Sequence, residues 1–289
     1  MKTDEKVIQG LENKSILYVS ATVHPSHHLH QGVRELLDAK PDIDFGRMVE
    51  SAGEWVRKYI GKVIDGTSEE LPTDLSKYRG IIVGCSLHYT NPDRHEIEPW
   101  QERIMDLIRL AVNEYKMPYL GMCGGGQLGL HALGGKVDQN PKGVGFYPKR
   151  DGSLVMRTTQ VNLTKAGRDN TIFKNMPDTF GINAIHSDYL SEAPEEKGFK
   201  VLANAADISN QIVSYGDSAI LMGVHPEISS KLMSYILDTL IEDTTYFKML
   251  GANEELLKHA LTEVTPTNDV TNNVISNFLS EFCANYKKP

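Results

Sequence analysis

Residues 117–135, MPYLGMCGGGQLGLHALGG, put a short apolar run, a cysteine set among glycines and a helix-forming segment in direct succession. A chain that turns sharply from a buried strand into a helix holds its turn residue in a strained backbone conformation and tolerates only small neighbours there. Gly121 lies two residues before Cys123, and Gly124, Gly125 and Gly126 follow it. The stretch therefore predicts a strand, a tight turn and a helix in one place, and strands that feed helices build parallel sheets covered on both faces.

The chain before this turn has the same grammar. SILYVSA (15–21) and RGIIVGCS (79–86) read as buried strands, with MPYLGM as a third. In IEPWQERIMDLIRLAVNEYK, residues Trp100, Ile104, Leu107, Ile108 and Ala111 recur at helical spacing. TVHPSHHLHQGVRELLDAK carries a shorter helical face through Val33, Leu36 and Leu37. From 144 to 224 the pattern changes to short strand-like runs: VGFYP, TQVNLT, INAIHS, FKVLAN, NQIVSYG and SAILMGV. With little helix between them, these predict strands added to the sheet, some antiparallel. Helix returns over 227–242, and 250–289 reads as two more helices. Val274, Ile275, Phe278, Leu279 and Phe282 form one apolar stripe, which either packs on its own domain or forms a homodimer surface. The organisation expected is a polar lead-in (1–13), one α/β domain (14–245) and a helical C-terminal extension (246–289).

Bulk properties exclude several function classes. A chain of 289 residues, 40% of them hydrophobic, buries a sizeable core. A net charge of −8 argues against nucleic-acid partners. The segment MKTDEKVIQGLENK has no apolar run that reads as a signal peptide, and no stretch approaches the roughly 18 apolar residues of a membrane span. Cys85, Cys123 and Cys283 form neither a CxxC pair nor a zinc spacing, which fits free thiols in a reducing cytoplasm. His24, His27, His28 and His30 crowd one segment, but no carboxylate or cysteine stands at ligand spacing. They read as a polar loop or a substrate contact that His88 and His95 extend. No metal and no cofactor is expected.

What the turn can do depends on its neighbours. It sets a sulfur at the carboxyl end of the sheet, where open α/β sheets bind ligands, and at a helix N-terminus, whose partial positive charge favours a thiolate. The Gly124 N–H can point at a developing oxyanion. The alternative is a buried packing cysteine on a glycine-rich turn. A thiol nucleophile needs a base, and the base an orienter. SAILMGV ends in His225-Pro226-Glu227, and residues i and i+2 of an extended chain share a side. Cys123, His225 and Glu227 then make a triad, Glu227 fixing the imidazole tautomer. The alternative here is a loop histidine followed by a first-turn helix acid.

On these residues the sequence resembles the class I (triad) glutamine amidotransferases. GMCGGGQLGLHALGG is similar to the family's elbow and following helix, INAIHSDYL followed by GFKVLANAAD to its His-Ser-Asp stretch, and ILMGVHPEIS to its G-x-x-H-P-E motif, over about residues 14–242. The resemblance implies a flavodoxin-like, mostly parallel sheet with helices on both faces. It implies that Cys123 attacks the glutamine side-chain amide and that water releases glutamate from a γ-glutamyl thioester. Gln127 matches a position lining the glutamine pocket, and His186, Ser187 and Asp188 match a segment bordering it. Asp188 is suited to hold the substrate's α-ammonium, or else is a turn-forming aspartate. The chain departs from the family where Gly84, Cys85 and Ser86 replace a Gly-Gly-Pro-like loop. Gly84 and Cys85 would there join Gly124 in the oxyanion hole. The first functional reading is a glutaminase passing ammonia to a separate synthase partner, since residues 243–289 are too few to be that synthase. The others are a γ-glutamyl hydrolase and a non-catalytic binding protein.

Overall fold

The structure, a computed structural model, describes residues 7–22, 43–86, 90, 96–139, 157–185, 188–206, 208–242, 254–267 and 270–289. Its elements run β1 (Ile16–Ser20), α1 (Ile43–Ala52), β2 (Ile60–Asp65), β3 (Gly80–Val83), α2 (Pro99–Arg109), β4 (Tyr119–Met122), α3 (Gly124–Ala132), β5 (Lys136–Gln139) and β6 (Arg157–Leu163). They continue with α4 (Lys165–Arg168), β7 (Thr179–Ala184), β8 (Asp188–Glu192), β9 (Phe199–Ala205), β10 (Ile212–Tyr215), β11 (Ala219–Met222), α5 (Ser230–Glu242), α6 (Glu254–Thr262) and α7 (Val270–Asn277). The helical face predicted through Val33, Leu36 and Leu37 and the run at 144–148 lie outside the described residues.

The short β-branched runs form the centre of a nine-stranded sheet, ordered β2-β1-β3-β4-β11-β10-β9-β6-β7. The first five strands are mutually parallel in the 2-1-3-4-5 order of a flavodoxin-like sheet. The last four continue it antiparallel. β5 and β8 make a separate two-stranded ribbon. The fold class read from the sequence is the one observed.

All five residues of β1 are buried, because alternate side chains feed two cores. Ile16 and Tyr18 join Ile82, Leu120 and Met122 on one face, under Met48 and Val49 of α1 and Val274 and Ile275 of α7. Leu17 and Val19 join Ile81, Val83 and Tyr119 on the other, under Ile104 and Ile108 of α2 and Leu128 of α3. The start of α2 explains itself chemically: Pro99 occupies its first turn, and Glu98 and Gln101 cap one another's backbone.

The terminal segments share this core. Val274, Ile275, Phe278 and Leu279 are inaccessible to solvent, so the C-terminal stripe packs on its own chain and offers no dimer surface. Arg79 ties the end of that helix down, donating to the carbonyls of Cys283 (3.1 Å), Ala284 (2.9 Å) and Tyr286 (2.7 Å). At the other terminus Ile8 and Leu11 are buried, and the Ile8 amide donates to the Tyr59 hydroxyl at 2.6 Å.

Candidate active site

Three neighbouring parallel strands deliver the site. Met122, the last residue of β4, pairs with Met222, the last of β11, so Cys123 and the segment leading to His225 leave the sheet side by side at its carboxyl edge. β3 lies on the other flank of β4 and delivers residues 84–86. Cys123 has φ 48° and ψ −108°, a conformation that L residues adopt only when the surroundings enforce it. The enforcement is local. A side chain on Gly124 would run into the backbone nitrogen and Cβ of Ser86, and one on Gly126 into the carbonyl of Met222. The first turn of α3 is thus wedged between the ends of β3 and β11, with the Gly125 amide donating to Gly84 O at 2.9 Å.

Cys123, His225 and Glu227 are all buried. His225 Nδ1 lies 2.6 Å from Glu227 Oε1, and its Nε2 lies 3.1 Å from the Ile185 carbonyl oxygen. The Cys123 thiol donates to the same carbonyl at 3.6 Å. Oxygen acceptors at both ring nitrogens are satisfied together only by an imidazolium. Burial opposes that charge, but the neighbouring Cys123 and Glu227 outweigh it, and His225 is held well above its ordinary value of 6.5. The arrangement can present a thiol sulfur, hold a proton beside it and keep the proton's carrier oriented.

The remaining predicted residues sort into distinct roles. Gln127 is buried and engaged at both ends: its Oε1 accepts from Thr90 Oγ1 at 2.8 Å, and its Nε2 donates to Asp188 O at 2.8 Å. Asp188 opens β8 rather than a turn, and its carboxylate accepts from the Thr90 amide at 3.2 Å. Thr90, which no sequence motif singles out, therefore links the segment after β3 to α3 and β8. Gly84 cannot serve as an oxyanion donor, because its amide donates to Val19 O at 2.9 Å as an extension of the β1–β3 ladder. Cys85 is buried beside it. His186, Ser187, His24, His27, His28, His30, His88 and His95 lie outside the described residues. Among the described residues no three His, Cys, Asp or Glu side chains gather as a metal site, and no helix is long and apolar enough to cross a membrane.

The family model for glutamine amidotransferase class-I matches residues 64–242, more than half of the chain. The chain belongs to this family. Within it, the chain is similar to gamma-glutamyl peptidase 5 of Arabidopsis thaliana, at 27% identity over 68% of this chain and 72% of that protein. Gamma-glutamyl peptidase 4 of the same plant is 26% identical, over 62% of this chain and a little under two thirds (65%) of its own length. A glutamine-hydrolyzing GMP synthase subunit of Methanocaldococcus jannaschii is 28% identical, over 63% of this chain and 87% of that one. Among solved structures, a glutamine amidotransferase from Methylobacillus flagellatus superposes with a TM-score of 0.64 at 16% identity, covering 96% of this chain and 97% of its own. One from Thermotoga maritima gives 0.61 at 15%, covering 94% and 99%. These two likenesses speak for the shared fold. For this amidotransferase-family chain, the residues beyond 242, including α6 and α7, lie outside the matched family segment.

Proposed function

We propose that the chain hydrolyses a γ-glutamyl amide, with glutamine as the simplest substrate, through Cys123, His225 and Glu227. Cys123 Sγ, its proton held by His225 as the imidazolium, attacks the amide carbon, and the Gly124 N–H, with an amide at Cys85 or beyond, receives the developing oxyanion. His225 hands its proton to the leaving nitrogen. The C–N bond breaks, and a γ-glutamyl thioester remains on Cys123. A water then gives a proton to His225 and its oxygen to the acyl carbon, releasing glutamate and returning the sulfur. Glu227 holds the ring in the orientation both steps need. Asp188, beside the segment after β3, holds the substrate's α-ammonium. When the leaving group is ammonia, it passes to a separate acceptor enzyme.

The observation that carries this reading is the meeting of a strained, glycine-flanked cysteine with a histidine whose Nδ1 is 2.6 Å from a buried carboxylate. A second reading, in which the leaving group is an amino acid or peptide, is favoured by the similarity to gamma-glutamyl peptidases over 68% of this chain. Glutamine and a γ-glutamyl dipeptide, assayed side by side for glutamate release, separate the two. Release from glutamine supports the glutaminase reading, and release from the dipeptide alone supports the peptidase reading. Release from neither, with Cys123 accessible to a thiol reagent, contradicts both. Cys123→Ala abolishes whichever activity is found.

A further inference from the structure

We infer that Asn183 is the positioning residue of the catalytic turn, and that Thr158 ties it to Thr265, in a segment outside the family match. The inference rests on the triad reading above. Asn183, in β7, is inaccessible to solvent and grips the turn at both ends. Its backbone carbonyl accepts from the His225 amide at 2.8 Å, and its side-chain Nδ2 donates to the Ile228 carbonyl at 2.8 Å. His225 and Glu227 both lie inside that grip. The ring direction and the carboxylate direction therefore follow from where Asn183 sits.

The amide of Asn183 is itself aimed. Thr158 stands opposite it in the β6–β7 register, and its hydroxyl donates to Asn183 Oδ1 at 2.9 Å. A hydroxyl has one hydrogen to give. Thr265 O, 3.1 Å from the same Oγ1, is the competing acceptor. Thr265 O already has a closer donor in Ser230 Oγ at 2.5 Å, while the Thr265 amide donates to Thr158 Oγ1 at 2.9 Å. The shorter contact and the better-supplied competitor both favour giving the Thr158 proton to Asn183 Oδ1, which leaves Nδ2 facing Ile228 O. A chain of hydrogen bonds runs from the connection between α6 and α7 to the turn that carries the base.

The test uses the full chain with Thr158→Val, Thr158→Ser and Ser230→Ala. Thr158 and Ser230 are only half-buried, so these changes leave the core intact. The readouts are the His225 titration by NMR of its ring signals, which needs no substrate, and kcat and KM for γ-glutamyl hydrolysis. Loosening the turn in Thr158→Val lowers the His225 midpoint by about one pH unit and kcat by about tenfold, with KM within about twofold. Thr158→Ser restores both, and Ser230→Ala shifts the midpoint in the same direction by less. A His225 midpoint and kcat equal to wild type in Thr158→Val and Ser230→Ala overturn the inference, even if the thermal midpoint falls. A wild type that titrates as described but hydrolyses no γ-glutamyl amide defeats the functional reading alone, since the variants' titration still reads the clamp.

Discussion

At the scale of single residues, the site is legible where chemistry restricts the choice of amino acid and illegible where it does not. A cysteine among glycines and an H-P-E triplet at a strand end have few physical uses. Asn183, Thr158 and Thr90 are ordinary polar residues whose partners in these bonds lie 25 to 98 positions away, so no local pattern marks them. Gly84 misleads for a related reason: its freedom is visible in the sequence, but the Val19 carbonyl that takes its amide is not. Gly124→Ala places a Cβ against the backbone of Ser86 and must displace the elbow. Its expected cost is about 1–3 kcal/mol in urea unfolding, together with loss of Cys123 alkylation.

The pH behaviour of the pair belongs to the same scale. His225 is raised in the folded chain, so its pairing stabilises fully below its unfolded value of about 6.5 and the contribution is lost as pH rises through the folded value. Glu227→Gln removes part of that pairing. Thermal melts of this variant against wild type should show the largest deficit at mildly acid pH and a shrinking one as pH rises past 6.5. A deficit independent of pH would place the effect in packing alone. The same substitution should lower kcat by about ten- to a hundredfold, because the ring loses its orienter.

At the scale of elements, runs buried on both faces announce themselves, and elements with mixed exposure do not. β1, β3, β4 and β11 are buried at every position. β2 alternates irregularly, with two exposed residues near its start, and β5 has one buried residue in four. Both escape a reading based on apolar runs, although β2 closes the flavodoxin-like half of the sheet. The C-terminal helix is held through Arg79 rather than by apolar contact alone. Arg79→Met leaves three buried-end carbonyls without their donor. The expected loss is about 1–3 kcal/mol of stability, read from the urea midpoint, with the hydrolytic kcat unchanged in the folded fraction.

At the scale of the whole molecule, the family segment does not close its own core. Phe278 and Leu279 of the C-terminal helix lie in the same buried cluster as Ile16, Ile82 and Leu120 of the central strands. Phe278→Ala should therefore cost about 3–5 kcal/mol, as for a central core residue, measured by chemical denaturation. The apolar stripe is plain in the sequence but its partner is not, because a stripe records only that something covers it. The same C-terminal region reaches the turn that carries His225 through Thr265, Thr158 and Asn183.

The proposed chemistry stands or falls with Cys123 as a nucleophile inside a γ-glutamyl-shaped pocket. Its most direct test is the intact mass of the chain after exposure to a diazo-ketone analogue of glutamine, beside Cys123→Ala. A nucleophilic Cys123 gives a single covalent adduct in the wild type, mapped to Cys123 and absent from the variant. An unmodified wild type, with iodoacetamide still reaching Cys123, would contradict it.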